Sequence, residues 1–248
     1  MDLRGNMMDK FRYDFYVDYS RVDNLARLSL DSIFQFTQIA ITEYFKSLGF
    51  DNRTMKIKYN YAWVFTKTKA HIESIPYWDS NIYAKCYVTN IKPVKTDVEV
   101  VFYDLNDNIL FMVKDEMCVI DLESRKIKKL SDFGFDKTET NESIIDGTYE
   151  MVDPANMIKF DDFKVKFCDI DCTNHTNNVS YIRFIMNSLG AEFLNNKKIT
   201  DLNFKYHKES RINEYLEVYK NETKDMIDIL IKRDNDDIFS IKINYKGE

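Results

Sequence analysis

Tyr19-Ser20-Arg21-Val22-Asp23 returns later in the chain as Phe167-Cys168-Asp169-Ile170-Asp171, an offset of 148 (171 − 23). The same offset sets Arg27 on His175, Ser32 on Ser180 and Phe36 on Phe184. A repeated supersecondary unit says more about architecture than any single propensity. Both stretches lead into a helical pattern. From about Ser29 to Leu48, the residues Leu30, Ile33, Phe34, Thr37, Ile41, Tyr44, Phe45 and Leu48 share one stripe. Ser29 can cap its start and Gly49 can end it in a left-handed conformation. The second pattern runs from about Asn177 to Leu194, with Asn177 as the cap and Val179, Ile182, Ile185, Met186, Leu189 and Phe193 as the stripe.

A further echo follows each helix. His71-Ile72-Glu73-Ser74 resembles His207-Lys208-Glu209-Ser210, an offset of 136 (209 − 73). Strand signals come next. Val98, Val100 and Phe102 alternate with Glu99, Val101 and Tyr103, and Asn106-Asp107-Asn108 reads as a turn before a returning strand at Ile109 to Val113. In the second half, Leu216 to Tyr219, Met226 to Ile231 and Ile238 to Tyr245 read as strands, the last two joined through Arg233 to Asp237. A polar stretch from about Lys137 to Asp161, containing Pro154, reads as a linker. The expectation is an α+β chain of two side-by-side copies, 1–145 and 146–248. Each is a long helix packed on a curved antiparallel sheet.

Composition narrows the function. The chain has 248 residues, 44% hydrophobic and 31% charged, enough for a packed core. Six Gly, and no glycine-rich phosphate motif, argue against a nucleotide fold. A net charge of −6 argues against nucleic acid as a partner. No apolar run approaches the ~20 residues of a membrane span, and the start of the chain lacks an apolar signal core. Met7 and Met8 are alternative starts. Cys86, Cys118, Cys168 and Cys172 show no paired C-x-x-C spacing and only three His are present, so neither a metal site nor a cofactor is expected. The cysteines read as reduced thiols of a cytoplasmic protein.

The chemistry concentrates in Asp169-Ile170-Asp171-Cys172-Thr173-Asn174-His175-Thr176-Asn177-Asn178. Carboxylates, an imidazole, amides and hydroxyls crowd a helix start, where unpaired N–H groups and partial positive charge can hold a carbonyl or oxyanion. Caps and turns commonly look like this too. The two copies differ, however. The first has Leu25 and Arg27 where the second has Thr173 and His175, so the polar set belongs to one copy only.

This segment resembles the D-x-D-x-N-x-H-x-N-N motif of the plant and bacterial acyl-acyl carrier protein thioesterases. Their Tyr-basic-basic-Glu-Cys segment is matched by Tyr206-His207-Lys208-Glu209-Ser210. Ala62-Trp63-Val64, Tyr77-Trp78-Asp79 and Val119 to Arg125 resemble the family's N-terminal strands and turns, so the likeness runs from about Phe11 to Tyr245. The resemblance implies a tandem (double) hotdog fold. It also implies hydrolysis of the thioester between a fatty acyl chain and the phosphopantetheine arm of acyl carrier protein. It sets Asp171, His175 and Glu209 on the family's catalytic positions, with Asn177, Asn178 and Ser210 in support.

The family's Asn is Thr173 here and its Cys is Ser210, so a nucleophilic cysteine is not expected at that place. Cys172 is a poor substitute, because closeness in sequence does not set triad geometry. The expected chemistry is general-base attack of water, with Glu209 as base, Asp171 and His175 orienting, and Thr173 with helix-start N–H groups steadying the oxyanion. By the same resemblance Phe34, Phe36, Ile39 and Trp63 would line an acyl pocket in the first copy. Lys208 and Arg211, with Lys197 and Lys198, would meet the acidic carrier. A homodimer is compatible with the resemblance. An acyl-coenzyme A thioesterase and a non-catalytic acyl-binding hotdog protein are the alternatives.

Overall fold

The computed structural model describes residues 11–145 and 147–247, so the alternative starts at Met7 and Met8 lie outside the described residues. The chain divides into two compact units, one of Met1–Leu28 and Gln35–Gly147, the other of Ser29–Phe34 and Thr148–Glu248.

The first unit contains strands β1 (Arg12–Tyr16), β2 (Tyr61–Ile72), β3 (Asn81–Ile91), β4 (Lys95–Asp104), β5 (Ile109–Asp121) and the short β6 (Ile127–Lys128). Its antiparallel order is β1-β3-β4-β5-β2, with β6 on β5. The second unit contains β7 (Ile158–Lys164), β8 (Lys197–Tyr206), β9 (Tyr215–Glu222), β10 (Met226–Arg233) and β11 (Asp236–Gly247), in the order β7-β9-β10-β11-β8. The two topologies are the same. Each is the sheet of a hotdog fold, and the chain is a tandem hotdog of class α+β.

Helix α1 (Leu30–Leu48) ends at Gly49 with φ +78°, the left-handed stop read from the sequence. Helix α3 (Asn178–Asn196) starts on the Asn177 cap, whose side chain accepts from the Val179 N–H. Gly190, at φ +75° and ψ 172°, breaks α3 in a conformation a non-glycine residue would resist. Tyr181 of α3 stacks on Phe239 at 5.1 Å, and Phe184 stacks on Phe163 at 3.8 Å, both over the second sheet.

The duplication extends to individual hydrogen bonds. The Glu73 and Ser74 N–H groups donate to the Leu110 carbonyl, as those of His207 and Lys208 donate to Ile238. Those pairs are 134 residues apart (207 − 73), not 136. Glu209 therefore corresponds to Ile75, and the His71-Ile72-Glu73-Ser74 echo is out of register by two. The offsets of 148 and 136 imply a helix-to-strand connection 12 residues shorter in the second copy, and the hydrogen-bond equivalence makes it 14 (148 − 134). A short helix α2 (Asn52–Tyr59), capped by Asp51, separates α1 from β2, whereas α3 runs straight into β8.

Two further expectations change. Glu99 in β4 is fully buried, held by Lys114 at 3.2 Å, the Ile144 N–H at 3.0 Å and the Ser143 hydroxyl. The stretch read as a linker is thus strapped down at Ser143 and Ile144. Further on, Glu150 N–H donates to Asn203 at 3.2 Å, and the stretch becomes β7 from Ile158. The alternating pattern failed at Glu99 because both faces of β4 are covered, which removes the usual inside/outside contrast.

Candidate active site

The polar segment forms a closed turn before α3. Ile170 and Thr176 pair as an antiparallel bridge. The Asp171 N–H donates to the His175 carbonyl at 2.9 Å, and the Asn174 N–H donates to the Asp171 carbonyl at 3.1 Å. Asn174 sits at φ +68°, which an Asn tolerates well. Asp171 Oδ1 accepts from the Thr173 N–H at 2.8 Å, the Thr173 hydroxyl at 2.7 Å and the His175 N–H at 3.4 Å. Its carboxylate is the hub of the turn. Asn177 then fixes the helix start. Its N–H donates to the Asp169 carbonyl at 2.8 Å.

The same turn exists in the first unit. Asp23 Oδ1 accepts from the Leu25 and Arg27 N–H groups at 2.9 Å each, and the Asp23 N–H donates to the Arg27 carbonyl at 2.7 Å. Ala26 there has φ +58°. The Asp thus organises the turn in both copies, and the Thr173 hydroxyl and the His175 imidazole are present in one. In the first copy the Arg27 guanidinium closes onto Asp23 at 2.8 Å.

His175 Nδ1 lies 3.3 Å from the Thr173 hydroxyl, and its Nε2 lies 3.1 Å from Glu209 Oε2. The Glu209 side chain is 45% exposed, the His175 side chain 15%. A half-buried imidazole therefore touches a carboxylate that water can reach. Thr173 has one hydroxyl proton. When it goes to Asp171, His175 donates from Nδ1 to Thr173. Its Nε2–H then faces Glu209 when the ring carries both protons. Asp171, Thr173, His175 and Glu209 form one chain of contacts, as the sequence reading grouped them. The assignment of Thr173 to an oxyanion changes, because its N–H and hydroxyl are both directed to Asp171.

Arg233 and Tyr181, which the sequence reading did not place at the site, and Thr176, which lies in the polar segment without an assigned role, hold Glu209 and its neighbour. Arg233 donates to the Glu209 carbonyl at 3.2 Å and pairs with Glu214 at 2.6 Å. Ser210 is fully buried, and its hydroxyl is 2.7 Å from that of Thr176 and 2.8 Å from that of Tyr181. The Thr176 N–H donates to the Ser210 carbonyl at 2.9 Å. No local signal marked these partners, since they lie 24 to 34 residues from the groups they hold. Ser210 is a strut between the Asp171–Asn178 segment and the loop that carries Glu209. Ser210→Ala should cost about 1–3 kcal/mol of stability by orphaning buried hydroxyls. A nucleophile's removal would instead lower kcat by ~10³ or more. Urea unfolding and kcat measured together separate the two. Cys172 is exposed.

The remaining sequence candidates are dispersed. Trp63 is core. Its indole N–H donates to the Phe50 carbonyl at 2.8 Å, and its ring packs on Phe45, Phe133 and Phe135. Phe36 stacks on Phe15 at 4.5 Å, Phe34 meets Phe204 edge-on at 4.9 Å, and Ile39 is half-buried. Asn178 is the first residue of α3 and half-buried. Lys208 is bonded to Asp236 at 2.6 Å, an interaction that holds the Asp236 carboxyl below its ordinary range. Lys197 lies 5.4 Å from the Tyr245 ring, and it and Lys198 open β8, roughly 30 Å along the strand from Glu209. Arg211 stands beside Glu209 in sequence and is exposed. His207, its ring 2.8 Å from the Ser240 hydroxyl, is held below the ordinary imidazole range by burial and by Lys205.

Known proteins share this architecture. A crystal structure of an acyl-ACP thioesterase from Bacteroides thetaiotaomicron superposes with a TM-score of 0.88 at 19% identity, covering 95% of this chain and 97% of that one. A 12:0-ACP thioesterase from Umbellularia californica gives 0.84 at 14% identity, covering 96% and 97%. In sequence, the chain is 22% identical over 222 residues to a chloroplastic acyl-[acyl-carrier-protein] hydrolase, FATB3, of Cuphea viscosissima. That match covers 84% of this chain and 53% of the relative, so the chain spans about half the length of the curated relative it matches. The family model for the acyl-ACP thioesterase N-terminal domain matches residues 8–134, and that for the C-terminal domain matches residues 152–247. Both halves matching in order, over a duplicated hotdog fold with one polar turn, the chain belongs to the acyl-ACP thioesterase family.

Proposed function

We propose that this protein hydrolyses the thioester of a fatty acyl chain carried on acyl carrier protein. The observation that carries the reading is the 3.1 Å contact between His175 Nε2 and Glu209 Oε2, which joins two distant segments in one copy of the repeat. Glu209 takes a proton from a water molecule, whose oxygen attacks the thioester carbonyl carbon. His175 orients Glu209 and that water. Asp171 and Thr173 fix the imidazole from its other nitrogen. Collapse of the tetrahedral intermediate breaks the C–S bond, and the proton returns from Glu209 to the departing sulfur. The products are a free fatty acid and the carrier thiol.

The division of labour is part of the proposal. The second copy, 146–248, carries the chemistry, and the first, 1–145, holds the acyl chain. The cytoplasm is the proposed setting, in keeping with four free cysteines. Among the described residues no helix is long and apolar enough to cross a membrane.

The test is thiol release from a panel of acyl-carrier thioesters of graded chain length, beside the same chains on coenzyme A. Turnover of the carrier thioesters supports the reading. Turnover confined to coenzyme A thioesters makes the protein an acyl-coenzyme A thioesterase. Binding of acyl chains with no turnover makes it an acyl-binding protein.

A further inference from the structure

We propose that Lys164, Lys166, Phe167, Arg211, Ile212 and Tyr215 form the docking face for an acidic carrier protein, whose thioester is thereby presented to His175 and Glu209. The inference rests on the thioesterase reading above and adds the surface that selects the partner.

Backbone pairing brings these residues together. The Val165 N–H donates to the Glu214 carbonyl and the Asn213 N–H to the Val165 carbonyl, both at 2.9 Å. Lys164 and Tyr215 are opposed across β7 and β9, with the ammonium 5.3 Å from the ring. Ser210 is bonded to Thr176 of the catalytic turn. The loop 210–215 is thus tied at one end to the catalytic turn and at the other to β7. Val165 points inward, and Lys164 and Lys166 flank it outside. Phe167 is 83% exposed, Tyr215 66% and Ile212 40%. Large apolar side chains clustered in the open mark an interaction surface.

The internal repeat supplies the control. In the first unit the Val17 N–H donates to the Ser80 carbonyl and the Asp79 N–H to the Val17 carbonyl, reproducing the pairing around Val165. By that equivalence Tyr19 matches Phe167 and Trp78 matches Ile212, and both are exposed. Two of the three apolar knobs are therefore common to the two copies, and Tyr215 stands where the first has Asn81. The charges are not shared. Lys164, Lys166 and Arg211 stand where the first copy has Tyr16, Asp18 and Tyr77. Among the described residues none of the three cations forms an ion pair with a carboxylate. A positive rim on a chain of net charge −6, confined to the catalytic copy, calls for an anionic partner at that place. Cations interleaved with open aromatic and aliphatic side chains suit a protein face, where Arg and aromatic residues carry the binding energy. A nucleotide would be held in a concave site.

The experiment compares wild type with Lys164→Glu/Lys166→Glu and with Phe167→Ser, all at exposed positions. The substrates are one acyl chain on carrier protein, on coenzyme A and on N-acetylcysteamine. The ratio of kcat/KM for the carrier thioester to that for the N-acetylcysteamine thioester should fall about tenfold or more, through KM. For the charge variant the loss should shrink as salt rises. An unchanged ratio overturns the proposal. So does an equal loss on coenzyme A, which would make the rim a phosphate site. If wild type hydrolyses none of the three, the thioesterase reading fails. The surface is then decided by anisotropy titration with fluorescent carrier protein. Weaker binding by the variants supports it, and equal binding overturns it.

Discussion

Glu209→Gln should lower kcat for thioester hydrolysis by a factor of ~10² to 10⁴, the range a positioned general base contributes. KM should change little. The amide keeps the size of the side chain and can still meet His175 Nε2, but it cannot accept a proton from water. The Glu209 carbonyl, held by Arg233 at 3.2 Å, is untouched by the change, so the main chain stays in place. Single-turnover thiol release, with the unfolding midpoint as control, reads the effect. A variant that turns over at the wild-type rate would remove Glu209 from the mechanism and leave the His175 contact as a surface ion pair. His175→Ala should show a comparable fall, and the double variant should be little worse than either single one, because the two act as one unit.

The second large effect concerns stability and pH, and it lies in the first unit. Asp115 sits in the buried row Val88, Val98, Asp115, Thr68 that runs across β3, β4, β5 and β2. Burial pushes its carboxyl up to about 7, against a smaller opposing effect of the Thr68 hydroxyl, which donates to it. The buried Cys86 thiol nearby is raised further by the same carboxylate. Between an ordinary carboxyl pKa near 4 and about 7, the folded protein binds a proton that the unfolded chain has lost. Stability therefore falls as pH rises through that window and levels off above it. Asp115→Asn removes the titration. Relative to wild type, the variant should gain about 2–3 kcal/mol of stability between pH 5 and pH 8.5, an order-of-magnitude figure. Urea unfolding at the two pH values measures it. Parallel pH dependence in both proteins would mean that Asp115 is ionised in the fold and has a partner.

What could be read in advance follows from periodicity. Helices α1 and α3 were legible because each carries an apolar stripe at helical spacing, although the start of α3 is buried on every face, and their caps at Gly49 and Asn177 are short-range chemistry. The segment from Asp171 to Asn178 was legible for the same reason. Glu209 was named from the family motif. The longer connection in the first copy was legible from the two offsets, but the pairing of Glu209 with Glu73 was not right, because identity over four residues cannot detect a two-residue slip. Strand β3 went unread because its residues are buried on both faces, as with Glu99 in β4. The pairing of Arg233 with Glu209 and of Thr176 and Tyr181 with Ser210 was illegible in principle, since only tertiary structure brings them together. The basic rim was half legible. Arg211 was named, while Lys208 is engaged by Asp236 and Lys197 and Lys198 stand at the far end of β8.

The Asp23 turn amounts to a vacant socket. Its backbone already offers the geometry that seats an imidazole 148 residues later, and it is plugged by its own arginine. Leu25→Thr, Arg27→His and Ile75→Glu would set the same polar side chains on the matching backbone, with Pro76 in the place of the Ser210 strut. A second copy of the polar set in this molecule thus begins with three side chains.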